Sequence, residues 1–136
     1  MTMIFIDTSA FYALEVEDDI NHEQARSFLN ELRKGKYGAL LTSDYVLDET
    51  LTLLRIRHGV EVALKFYDKV RRSRSLRIIW VDETIFNKAL EPFSRNNKLK
   101  WSFTDCVSFA IMKLLDIKYA FTFDKNFEEA GFIKLP

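Results

Sequence analysis

"MIFIDTS", residues 3–9, is a short apolar run that stops at a carboxylate. The pattern returns near the other end as "YAFTFDKNF", residues 119–127. Both runs have the length and composition of buried strands and are too short for core helices. An unpaired buried carboxylate is costly, so Asp7 and Asp124 each need an explanation. From the residues alone, two stay open. Asp7 could cap a helix over "SAFYAL", and Asp124 could cap or turn the chain into "KNFEEAG". Alternatively, the two strand ends meet and hold something.

Three more strand-like runs lie at 39–42, 77–81 and 132–134. Helical patterns fill the intervals. Residues 20–35 place Ala25, Phe28, Leu29 and Leu32 on one stripe, with Gly35 as a stop signal. Residues 43–59 open on a Ser43 cap and end at Gly59, and 60–73 follow at once, which predicts two helices joined by a tight turn. Residues 83–97 are helical, with Pro92 expected to kink or interrupt them. Residues 102–117 form the last long helix. Strands alternating with helices predict right-handed crossovers and an α/β fold: a three-layer α/β/α arrangement around a mostly parallel four- to five-stranded sheet. Functional groups in such a sheet gather beyond the carboxyl ends of the strands, where Asp7 and Asp124 fall.

The chain has 136 residues, two prolines and four glycines, with no internal repeat or Pro/Gly-rich linker, so one domain over 1–136 is expected. No apolar run approaches the roughly 20 residues of a membrane span. A strand-like segment at the very start predicts no secretory leader. A single cysteine, Cys106, forms no internal disulfide and fits a cytoplasmic location; it reads as a small buried apolar side chain rather than a nucleophile. His22 and His58 lack a second histidine or cysteine at zinc spacing, so no zinc site is expected.

Net charge is zero but unevenly spread. Residues 52–100 carry 12 bases against 5 acids, densest in "KVRRSRSLR" at 69–77. Arg72, Arg74 and Arg77 there are candidates for steering a nucleic acid, for meeting an acidic protein segment or a second copy, or simply for a solvated face.

Two more acids stand out. At 100° per residue Glu49 shares its face with Tyr45, Val46, Leu53 and Ile56, whereas Asp48 falls with Asp44, Thr52 and Arg55 on a polar sector. Glu49 is therefore expected to point inward and Asp48 to water. Asp105 completes the pattern Ser102-x-x-Asp105 of a capping box, yet Phe109 and Met112 share its face, so cap and inward acid are both open. All four acids fall at strand ends or in the first turns of helices. Ionised carboxylates share a small site only if protons or cations offset their repulsion. A hard divalent cation does so, and it can polarise a phosphoryl oxygen and activate water. The chain has no Gly-rich phosphate loop and no Ser-His-Asp set, which favours metal-assisted phosphodiester hydrolysis. Backbone amides and hydroxyls of Thr8, Ser9 and Thr122 are placed to hold the acids.

"IFIDTSAFYAL", "TSDYVLDETLTLL", "SFTDCVSFAIM" and "FTFDKNF" resemble, in order, the four acidic motifs of PIN-domain nucleases. The resemblance covers nearly the whole chain, and the length resembles that of the VapC toxins of VapBC toxin–antitoxin pairs. It implies a Mg²⁺- or Mn²⁺-dependent endoribonuclease in which Asp7, Glu49, Asp105 and Asp124 are the catalytic and metal-binding acids. Ser9, with Thr8 beside it, would support the first acid, and Thr122 matches the threonine of the T-x-D stretch. It also implies an RNA substrate, a cognate antitoxin and a homodimer. RNA processing outside a toxin role, or a lapsed binding module on the same fold, are the alternatives. A receiver domain would need an acidic pair after strand one, and a haloacid-dehalogenase phosphatase a D-x-D where this chain has "DTS".

Overall fold

The computed structural model describes residues 2–95 and 97–136. In chain order the elements are β1 (Met3–Ile6), α1 (Thr8–Glu15), α2 (His22–Arg33), β2 (Ala39–Ser43), α3 (Asp44–His58), α4 (Val60–Arg72), β3 (Leu76–Ile79), α5 (Glu83–Phe93), α6 (Phe103–Leu114), β4 (Tyr119–Phe121), α7 (Asn126–Glu129) and β5 (Ile133–Leu135). The five strands form one sheet in the order β3-β2-β1-β4-β5, with every pairing parallel. The expected α/β class and sheet are thus borne out, at the upper strand number.

Strand ends shift by one or two residues from the sequence reading. β1 stops at Ile6, because the Asp7 carbonyl already accepts the first amides of α1. β3 begins at Leu76 and stops at Ile79, and β4 stops at Phe121. The expected helix over 83–97 ends at Phe93, and its residue Asn96 lies outside the described residues. Pro92 does not break α5, since it sits in the last turn, where the chain leaves the helix anyway. Ser43 caps α3 by accepting the Val46 amide at 3.2 Å, as expected. Gly59 alone joins α3 to α4; its φ of 98° is a conformation that side-chain-bearing residues resist.

The strand order positions the site. From β1 the chain steps outward to β2 and β3, then crosses back to β4 on the other side of β1 and on to β5. With right-handed crossovers, the outward helices cover one face and the returning helices the other. Phe28 of α2 lies against Phe121 of β4 at 4.9 Å between ring centroids, and Phe11 of α1 against Phe66 of α4 at 5.3 Å. Ile4, Phe5, Ala120 and Phe121 are fully buried between the layers. Connections leave in opposite directions at the β1–β4 junction. That reversal opens a crevice beyond the carboxyl ends of those two strands.

Candidate active site

Asp7 sits at that junction and is 3% exposed. It occupies the N-cap position of α1, yet its side chain caps nothing. Instead Oδ2 accepts from Ser9 Oγ at 3.1 Å and from Thr122 Oγ1 at 2.9 Å. The two hydroxyl oxygens are 3.0 Å apart, so two protons serve a triangle of three oxygens. Thr122 Oγ1 also accepts the Asp124 amide at 3.0 Å, and Ser9 Oγ the Phe123 amide at 2.9 Å. The end of β4 is thereby tied to the end of β1 through side chains, which places Asp124 beside Asp7. Thr8 acts differently from Ser9. Its backbone amide bonds the Asp7 carboxylate, while its hydroxyl reaches the Val46 carbonyl of α3 at 3.5 Å.

Asp105 is both things the sequence left open. Ser102 Oγ accepts the Asp105 amide at 3.0 Å and Asp105 Oδ2 accepts the Ser102 amide at 3.1 Å, a complete capping box. The carboxylate is also only 7% exposed and faces the other acids. Asp124 likewise keeps its turn role: Oδ1 accepts the Asn126 amide at 2.9 Å. Glu49 is half-buried and Asp48 exposed, as expected. The apolar face assigned to Glu49 is less complete than the periodicity implied. Val46 is buried, Tyr45 and Leu53 are half-buried, and Ile56, in the last turn of α3, is 75% exposed. Asp44 is not a solvated acid either; its Oδ1 holds the Val81 amide just beyond β3 at 2.9 Å.

Charge repulsion links the four acids. Burial first, then the charges of Asp105 and Glu49, raise Asp7 from 3.8 to about 7, against hydrogen bonds from Thr122 and Thr8. Burial also raises Asp105, helped by Asp124 and Glu49 and opposed by the Ser102 amide and Asn126. Among the described residues, no three His, Cys, Asp or Glu side chains stand close enough together to hold a metal ion between them. Neighbouring, partly converged carboxylates fit an ion that keeps much of its own water, as Mg²⁺ does. The donor set is all oxygen, which suits a hard cation. Cys106, next in sequence, is buried and its thiol is pushed up to about 11, so it adds no nucleophile.

The sequence reading missed Asn126. Its Nδ2 donates to Asp105 Oδ2 at 3.1 Å and lies 3.4 Å from both Asp124 Oδ2 and the Lys100 carbonyl. A neutral donor thus sits between two acids, and both donors to Asp105 fall on one oxygen. The spacing Asp-x-Asn after a strand was the available signal, since such an aspartate accepts the amide two residues on. Replacing Asn126 by alanine is expected to raise the divalent-ion concentration needed for half-maximal cleavage by about 10–100-fold, the usual cost of losing a group that orients a ligand. A metal titration of activity reads this directly.

The basic candidates do not join the acids. Arg77 pairs in register with Leu41 on β3, the outermost strand on that side, and Arg72 and Arg74 precede it where the strands begin. The acids lie at the edge where strands end. Arg72 is also ion-paired to Asp68 at 3.1 Å.

A five-stranded parallel sheet with clustered acids at its reversal point defines a class. The PIN domain model matches residues 4–133, and the chain belongs to the PIN-domain family. Within it the similarity is to VapC-type ribonucleases. The chain is 35% identical to the 23S rRNA-specific endonuclease VapC20 of Mycobacterium tuberculosis over 133 residues, 98% of each protein. It is 32% identical to a VapC ribonuclease of Archaeoglobus fulgidus over 123 residues, 90% of this chain and 77% of that one. The crystal structure of Mycobacterium tuberculosis VapC20, described as a sarcin-ricin loop cleaving toxin, superimposes with a TM-score of 0.87 at 34% identity over 96% of both chains. FitAcB from Neisseria gonorrhoeae shares the fold at 15% identity, with a TM-score of 0.69 over 98% of this chain and 97% of that one. The expectation of a VapC-type endoribonuclease on a PIN fold is borne out.

Proposed function

We propose that this chain, one PIN domain, hydrolyses RNA phosphodiester bonds at a divalent-metal centre held by Asp7, Glu49, Asp105 and Asp124. The observation that carries this reading is the gathering of these acids in a buried crevice at the strand reversal, where burial first, and then the charges of Asp105 and Glu49, raise Asp7 to about 7. Mg²⁺ or Mn²⁺ would offset that repulsion. When bound, such an ion polarises a phosphoryl oxygen and lowers the pKa of water. The chain's own residues do the positioning. Ser9 and Thr122 fix one Asp7 oxygen, and Ser102 and Asn126 fix one Asp105 oxygen. The similarity to VapC20 makes 23S rRNA the first substrate to try, with the alternative of another RNA-processing target.

We read the protein as a cytoplasmic toxin with an antitoxin partner. Among the described residues no helix is long and apolar enough to cross a membrane. A groove of about 710 Å³ runs between α1, α2 and α4, floored by Ile6 and Leu40. Phe11, Leu14, Leu29 and Phe66 line it, and Arg26, Arg33, Lys65 and Lys69 outnumber Glu15 and Glu17 around it, with Lys69 paired to Glu15 at 3.1 Å. Such a groove suits a partner helix with an apolar face and acidic flanks. The basic stretch from Lys69 borders it, which favours the partner-binding use of that stretch. A homodimer is supported by a second surface: Phe86 and Phe93 of α5, 40% and 52% exposed, pack around Phe103 with Tyr45 nearby.

The test is cleavage of 23S rRNA and of short RNAs by the purified chain with Mg²⁺, Mn²⁺ or EDTA. Cutting is expected with either ion and none with EDTA. Equal cutting in EDTA would overturn the metal centre.

A further inference from the structure

A second cavity lies away from the groove, between α5, α6 and the chain leading into β5. Its volume is about 260 Å³. That is below the roughly 300–1,000 Å³ of sites for drug-sized ligands. Its walls are aromatic and aliphatic: Trp101, Phe109, Phe132, Leu114 and Pro92. Trp101 meets Phe109 edge-on at 5.2 Å, and Phe109 stacks on Phe132 at 5.7 Å. Three cations, Lys88, Arg95 and Lys113, stand at its mouth with one acid, Glu91. Glu91 is taken by Arg95 at 2.8 Å, and both lysines lie close enough to favour its ionised form. The mouth therefore keeps a cationic excess over apolar walls.

A ligand complementary to that arrangement has a flat apolar body and an anionic group. Two further observations narrow it. Trp101 Nε1 is the one buried side-chain polar atom among the described residues without a hydrogen-bond partner. Trp101 is itself a wall residue, so an acceptor on a ligand seated there would give this N–H a partner. The cavity wall also adjoins residues that hold the acids. The carbonyl of Lys100, next to Trp101, is held by the same Asn126 amide that holds Asp105. Phe109 lies one helical turn beyond Asp105 on α6, a rise of about 6 Å.

We propose that this cavity takes one unpaired nucleotide of the RNA substrate, the base against Trp101, Phe109 and Phe132 and a phosphate on Lys88, Arg95 or Lys113. Unpaired bases are read by proteins in this manner, through stacking on aromatic side chains with cations along the backbone. The site would select where the chain cuts. The assignment of RNA as ligand rests on the nuclease reading above.

The chain has two tryptophans, Trp80 and Trp101, so indole N–H signals in a proton–nitrogen NMR spectrum report this wall with an internal control. Trp80→Phe assigns them. The full chain is titrated, in EDTA, with each of the four ribonucleoside 5′-monophosphates and with inorganic phosphate. The Trp101 signal is expected to move and saturate with at least one nucleotide, while that of Trp80, 66% exposed elsewhere, stays. Lys113→Glu, on an exposed position, is expected to weaken that binding about tenfold. Lys36→Glu, a matched charge change far from the cavity, should leave it as it was. The proposal is overturned if the Trp101 signal stays still, moves equally with inorganic phosphate or moves in step with Trp80. It is equally overturned if Lys113→Glu binds like the unaltered chain. Because the titration is done without cleavage, failure to cut RNA would count against the nuclease reading and not against the cavity.

Discussion

Asp7→Asn is expected to lower RNA cleavage about a thousandfold and, in the same protein stripped of metal, to raise stability above neutral pH. A metal acting as Lewis acid supplies several kcal/mol of transition-state stabilisation, and about 1.4 kcal/mol is tenfold in rate. The amide keeps the shape of the carboxylate and an oxygen to accept from Ser9 and Thr122, so the fold should survive. What it loses is the charge. In the folded chain Asp7 titrates at about 7, against 3.8 ordinarily. Below about pH 4 the group is protonated in both folded and unfolded chains, and its ionisation costs nothing. As pH rises toward 7 the unfolded chain releases the proton and the folded chain keeps it, so stability falls. Above 7 the loss is complete, about 4 kcal/mol for the step from 3.8 to about 7. Asp7→Asn has no such titration. Thermal melts in EDTA should therefore show the variant gaining on the unaltered chain between about pH 4 and pH 8 and levelling beyond. Added Mg²⁺ should stabilise only the unaltered chain and close the gap. A variant no more stable than the unaltered chain at alkaline pH would sink this account of Asp7.

Much of this arrangement was legible in the sequence, for local reasons. A buried parallel strand is a continuous apolar run, and Met3–Ile6 and Tyr119–Phe121 announce themselves as such. Caps are also local, so Ser43 and the Ser102–Asp105 box could be read from spacing. Spacing is silent where three-dimensional register decides. That Arg72 and Arg74 lie at the sheet edge opposite the acids follows from β3 pairing with β2, which no spacing within 69–77 reveals. Ile56 lies on the same helical face as Glu49, but in the last turn of α3 that position is exposed. Asn126 escaped notice because the Asp-x-Asn spacing reads only as a turn and says nothing of where the neutral side chain goes. It matters only once β4 and α6 bring Asp124 and Asp105 to either side of it.

The fourth acid depends on a single buried ring. α7 has four residues, and among them only Phe127 is buried, fully so, with its ring 5.0 Å from Phe109 of α6. A helix this short has almost no stability of its own, so tertiary packing must hold it. Asp124 and Asn126 are thus placed by an anchor one residue further on. Phe127→Ala should cost about 3–5 kcal/mol through lost burial and a residual cavity. For a domain of this size that is a fall of about 10–20 °C in melting temperature. Phe121→Ala is the informative comparison. Phe121 is equally buried, but its ring meets those of Phe28 of α2 and, at 6.3 Å, Phe123, rather than the α7 ring. Both variants should lose similar stability. Assayed well below their melting temperatures, only Phe127→Ala should also need more Mg²⁺ or Mn²⁺ for half-maximal cleavage, because only there does the loss free Asp124 and Asn126 to wander. Equal metal demand in the two folded variants would mean that the hydrogen bond from the Asp124 amide to Thr122 and that from the Asn126 amide to Asp124 hold the acid without the aromatic anchor. In that case the acid site is built from the strand end alone.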